Sequence, residues 1–200
     1  MGAGTITVGA GLNAMISADI SDDFTCSRAG TLTFSGDLGA GAKVIRASGG
    51  QFNFAANDSF NTIDNSGTVD LGGNTATISH FLGQTGSTIQ NGTFKVSLLT
   101  QLAGATVDND FSGAGGVRKH GGRTATINGN LSHTGATEIE TGTLLISSSN
   151  ACNGTSGMSW TGNGTFENQG CTTADAVVSN DQLLNSGTFT ETTQVVLVSL

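Results

Sequence analysis

Three observations predict an all-β chain wound into a solenoid of irregular coils, each about 20–25 residues long. Short alternations of polar and apolar residues recur along the whole chain, many of them opened by Gly-Thr. In a strand, alternate side chains point to opposite faces, so each run has one wet and one dry side. The spacing of those runs is the second observation. From Gly4 the opening glycines follow at gaps of 26, 20, 17 and 25 residues, and Gly142, Gly164 and Gly187 are 22 and 23 apart. Composition is the third. Glycine is 31 of 200 residues, with 29 Thr, 20 Ser and 16 Asn, and charged residues make up only 11%. Proline is absent, as suits a chain whose amides mostly donate to neighbouring strands. Hydrophobic residues at regular intervals exclude a disordered chain.

In chain order the expected strands begin at Gly4-Thr5-Ile6-Thr7-Val8, Gly30-Thr31-Leu32-Thr33-Phe34 and Gly50-Gln51-Phe52-Asn53-Phe54. Gly67-Thr68-Val69-Asp70-Leu71, Thr75-Ala76-Thr77-Ile78 and Gly92-Thr93-Phe94-Lys95-Val96 follow. After a central unit come Gly164-Thr165-Phe166-Glu167 and Gly187-Thr188-Phe189-Thr190. Asn precedes several of the turns, as in Asn65-Ser66-Gly67, Asn91-Gly92 and Asn163-Gly164. Asn and Gly both accept left-handed backbone, so these read as corners, in preference to glycosylation acceptors. Leu12–Cys26, Phe54–Asp64, His80–Thr85 and Leu98–Val107 depart from the pattern. Leu12–Ile20 has weak helical spacing, and residues 1–26 are expected to cap or anchor one single solenoid domain spanning 1–200. The ten Phe residues are expected to stack internally.

The central unit holds Thr124-Ala125-Thr126-Ile127 and Thr143-Leu144-Leu145-Ile146, with Thr137-Glu138-Ile139-Glu140 between them. Gly116-Val117-Arg118-Lys119-His120-Gly121-Gly122-Arg123-Thr124-Ala125-Thr126-Ile127, then Thr134-Gly135-Ala136-Thr137, then Gly142-Thr143-Leu144 resembles the passenger-associated repeat of bacterial autotransporters. The resemblance covers about residues 115–146. Arg123 stands where that pattern has glycine, Ala125 where it has leucine, and His133 where it has an aromatic residue. It implies a right-handed parallel β-helix displayed outside a cell or on a particle, and it implies no activity.

Net charge is −8 with only seven basic residues, too few and too scattered for a nucleic-acid backbone. No apolar run approaches a membrane span, and no secretory signal precedes Thr5. Cys152 and Cys171, 19 residues apart, are expected either to bond across adjacent coils or to be small buried thiols. No Cys or His spacing resembles a zinc site.

No catalytic, cofactor-binding or metal site is expected. A glycan-cleaving site needs converging carboxylates. Asp22-Asp23, Asp108-Asn109-Asp110 and the pair Glu138 and Glu140 are the candidates. The pair reads as a solvated outer face, and the Asp108–Asp110 run is too poor in oxygen ligands for calcium. His80, His120 and His133 read as surface or turn residues, and Trp160 as packing against a loop in preference to a sugar. Thr-x-Thr pairs are too irregular in sequence for an ice-binding array. The tail, residues 194–200, is apolar on both faces and is expected to be an oligomer contact through Val195, Val196, Leu197, Val198 and Leu200. The expectation is thus a non-catalytic structural protein, a virion component such as a bacteriophage capsid decoration or fibre protein on the virion surface. It would form a homo-oligomer, with a trimer favoured, and would contact other virion or cell-surface proteins or surface glycans. A secreted autotransporter-like passenger segment is the alternative, and a glycan-processing β-helix enzyme a distant third.

Overall fold

A computed structural model describes residues 4–17, 24–27, 30–35, 44–48, 50–147, 153–155, 158–169, 171–179, 182–186 and 188–197. Among them all regular structure is strand, and every strand pairing is parallel. The chain is a parallel β-solenoid of stacked coils.

The strands fall into three rows, here called faces A, B and C. Face A runs through the second half of Asp58–Asn65, then the second halves of Thr75–Gly83 and Thr93–Leu102, then Gly116–Lys119 and the start of Thr137–Ile146. Face B runs through Asn13–Ile16, Thr31–Phe34, Gln51–Phe54, Thr68–Asp70, Thr88–Gln90, Thr106–Val107 and Thr124–Ile127, and on through the end of Thr137–Ile146. Face C includes Thr75–Ile78, Thr93–Lys95, Asp110–Gly113 and Leu131–His133. Faces C and A meet without a loop, because single strands such as Thr93–Leu102 turn the corner at a register shift between Val96 and Leu99.

On face A, Ile63 pairs with Phe81, Phe81 with Thr100, Thr100 with Val117 and Val117 with Thr137, steps of 18, 19, 17 and 20 residues. Coils are therefore mostly shorter than the Gly-Thr landmarks suggest. Those landmarks sit on different faces: Thr143 pairs with Thr165 on face B, whereas Thr188 belongs with Cys171 in another row. Within the central unit, Thr124 pairs with Thr143 and Ile127 with Ile146, while Val117 pairs with Thr137. Its two main alternations are thus the same face of consecutive coils.

On face B the inward column is apolar from Leu32 to Ile146: Leu32, Phe52 and Val69 are followed by Ile89, Val107, Ile127 and Ile146, each at most 2% exposed, and buried Asn168 comes next. Face C contributes Phe94 and Phe111. The phenylalanines do stack: Phe34 lies 6.4 Å from Phe52, Phe81 meets Phe94 edge-on at 4.9 Å, and Phe94 lies 6.1 Å from Phe111. Face A differs, because Asn65, Thr100, Lys119 and Thr137 occupy inward positions there and are buried.

The segments expected to break the pattern are mostly rungs of the stack. Asn13–Ile16 is a strand on face B, and its alternation places Ala14 and Ile16 against the core with Met15 exposed; Leu12, just before the strand, is exposed as well. A strand there, and not a helix, satisfies the amides of Thr31 and Ser35 through the Leu12 and Ile16 carbonyls. Residues 1–3 and 18–23, including Asp22 and Asp23, lie outside the described residues. The corner reading of Asn65 and Asn91 holds. The Asn65 side chain accepts from the Gly67 amide at 3.0 Å and donates to the Thr88 carbonyl at 2.8 Å. Asn91 adopts φ 59° and donates to Asp70 at 2.9 Å.

Candidate functional site

Two outward features stand out among the described residues, a charged cluster on face A and a regular polar surface on face B. The cluster follows from strand alternation in Gly116–Lys119. Val117 points in, Arg118 out and Lys119 in. Arg118 pairs across the ladder with Glu138, and its Nε lies 3.6 Å from that carboxylate. Its Nη2 donates a hydrogen bond to Glu140. The two glutamates do share the outer face, and their common partner there is Arg118. The bond and charge of Glu140, with help from Glu138, hold the Arg118 pKa above its ordinary value. One guanidinium thus bridges both carboxylates and offsets one of their two charges.

Beneath the cluster, Lys119 is wholly buried. Its Nζ donates to the carbonyls of His120 at 2.7 Å, Gly121 at 2.6 Å and Thr141 at 3.0 Å. A buried ammonium is tolerated where its protons are all matched. Burial lowers its pKa to about 8, so it remains charged at neutral pH. It closes the corner between two coils, linking His120-Gly121 to Thr141 one coil on.

His133 is a correction to the surface reading. It is 1% exposed, its Nε2 lies 2.9 Å from Thr137 Oγ1, and its ring meets Phe111 edge-on at 5.2 Å. Burial lowers its pKa to about 4. The imidazole thus fills an aromatic position in the stack. His80 and His120 are half-buried.

The face B surface is built by two outward columns. Thr31, Gln51, Thr68, Thr88, Thr106 and Thr126 lie in one register column. Two residues on, Thr33, Asn53 and Asp70 stand in line, continued by Gln90, Asp108 and Asn128. The second column is knitted from coil to coil. Gln90 donates to Asp70 at 3.0 Å, and Asn128 donates to Asp108. Burial pushes the Asp70 carboxyl up, but bonds from Gln90, the Gly72 amide and Asn91 outweigh it, so its pKa is lowered. The Asp108-Asn109-Asp110 run is divided by this geometry: Asp108 bonds Asn128, Asn109 is buried, and Asp110 accepts from the Asn130 amide at 3.0 Å. Among the described residues no group of three or more His, Cys, Asp or Glu side chains converges as metal ligands. The Thr-x-Thr pairs are split between faces, with Thr31/Thr33 and Thr124/Thr126 on B and Thr75/Thr77 on C.

Cys152, Val198 and Leu200 lie outside the described residues, as do the side chains of Cys171 and Trp160. Cys171 opens the strand Cys171–Ser179, and Val195, Val196 and Leu197 pair with Val177, Val178 and Ser179. No helix among the described residues is long and apolar enough to cross a membrane.

Comparison with known proteins found no matching family model, no matching curated protein and no matching solved structure.

Proposed function

We propose that this chain is a non-catalytic structural protein displayed on a surface, and that the surface is that of a virion, where it acts as a decoration or fibre component. The observation that carries this reading is the use of outward polar groups. Gln90 and Asn91 tie their coil to Asp70 of the one before, Asn128 ties its coil to Asp108, and Arg118 bridges Glu138 and Glu140. Groups spent on holding the stack are poor general acids or bases, which need a free proton-transfer position facing substrate.

Assembly as a homo-oligomer, a trimer first, belongs to the same proposal. Backbone register supports it. Val195, Val196 and Leu197 pair with Val177, Val178 and Ser179 in the last paired strand among the described residues. A strand of apolar sequence at the open end of a parallel stack offers an edge for a partner to cover.

The stacked geometry of residues 115–146, two rungs of face B and two of face A in register, also suits a secreted passenger segment of the autotransporter kind. Electron microscopy of the purified chain separates the readings. Closed, symmetric particles or short fibres support the structural virion role. Dispersed single solenoids favour the passenger segment, and release of reducing ends from a polysaccharide would overturn the non-catalytic reading altogether.

A further inference from the structure

We infer that face B is a binding surface for a neutral, hydroxyl-rich polysaccharide laid along the solenoid axis. Thr68, Thr88, Thr106 and Thr126 follow one another on consecutive coils without a register shift. All four are half-buried, and the inward residue beside each is at most 2% exposed, so the rungs stand on a rigid apolar floor. Neighbouring strands lie about 4.8 Å apart, so the six rungs from Thr31 to Thr126 extend about 24 Å. Threonine is stiff at χ1, and the adjoining carboxylates of Asp70 and Asp108 are held by amides of the next coil. A ligand meeting this surface therefore orders few side chains.

The chemistry of the surface selects the occupant. The twelve outward positions of these six rungs are Thr, Gln, Asn and Asp, with no cation and no aromatic or aliphatic side chain among them; the columns reach an apolar side chain only beyond them, at Met15 before Thr33 and Leu145 after Thr126. Anionic polymers lack a counter-charge here, and between those ends an apolar helix or a lipid surface lacks anything to bury against. What remains complementary is a neutral chain whose hydroxyls both donate and accept, as threonine, amide and carboxylate groups require. Each contact is weak, and repetition along the axis accumulates affinity. The inference rests on face B alone, so it stands or falls separately from the oligomeric reading above.

The test is retention of the full chain on insoluble cellulose, chitin and xylan, with folding of every variant checked by circular dichroism. Retention on at least one polymer is expected. The fourfold Thr→Val variant at 68, 88, 106 and 126 keeps side-chain shape and removes the hydroxyls, and should weaken retention at least tenfold. Thr75→Val with Thr93→Val on face C should leave it unchanged. If the fourfold variant does not fold, Thr106→Lys places one charged obstacle mid-surface and should give a comparable loss. No retention on any of the three polymers overturns the inference, as does equal loss from the face B and face C variants. Inhibition of ice recrystallisation without glycan retention overturns it too, in favour of an ordered-water surface.

Discussion

The Lys119 ammonium occupies the space that a side chain at Gly142 would need. A Cβ built on Gly142 would lie 2.8 Å from Nζ, 2.3 Å from the Gly121 carbonyl and 2.6 Å from that of Arg123. Gly142 also adopts φ 73°, a conformation costly for any residue with a Cβ. Gly142→Ala should therefore destabilise the fold by about 2 kcal/mol or more. A denaturation midpoint equal to that of the native chain would refute the tight corner.

Lys119→Met removes the ammonium and its bonds to the carbonyls of His120, Gly121 and Thr141. A hydrogen bond to a charged group contributes about 1.5–3 kcal/mol, and water can reach the freed carbonyls of exposed Gly121 and Thr141, so a loss of about 2 kcal/mol is expected in urea unfolding. Gain of stability would mean that desolvating the ammonium outweighs its three bonds.

Acid should weaken the fold through His133. Its pKa is about 4 in the folded state and close to the ordinary 6.5 when unfolded. Between those values the unfolded chain binds more protons, so stability falls as pH drops below 6.5 and the loss is complete near 4. The gap of about 2.5 pKa units corresponds to about 3 kcal/mol. His133→Leu should flatten that pH dependence. Asp70 acts in the same sense at lower pH: its stabilisation is present above 3.8 and disappears as pH falls through its lowered folded value. A native chain whose stability is constant from pH 7 to 4 would contradict the buried, neutral imidazole.

Phe94 sits between Phe81 and Phe111 in the stack and is fully buried. Phe94→Ala should cost about 3–5 kcal/mol. Leu98→Ala, at a residue 60% exposed on the same strand, should change the unfolding midpoint little.

Much of the fold was legible because face B follows the simplest rule of a half-buried strand. Thr68-Val69-Asp70, Thr88-Ile89-Gln90 and Thr106-Val107-Asp108 place a β-branched apolar residue inside and polar ones outside. Face A hides the same rule, because its interior is partly polar. Asn65, Thr100, Lys119 and Thr137 point inward, so the rungs at His80–Gly83 and Leu99–Leu102 fall in segments that depart from the simple alternation. Lys119 was hardest to place. Beside Arg118 it looks like half of a surface pair, and only the alternation from Val117 puts it inside. His133 carried a usable signal, since it stands where the resembling repeat has an aromatic residue.

The most direct test of the structural role is the solution mass of the chain by light scattering, repeated with Val196→Lys and with residues 194–200 deleted. A closed oligomer, a trimer first, that both changes dissolve into folded monomers is the predicted result. A folded monomer whose mass is indifferent to both changes would contradict the role and leave the passenger segment as the better account.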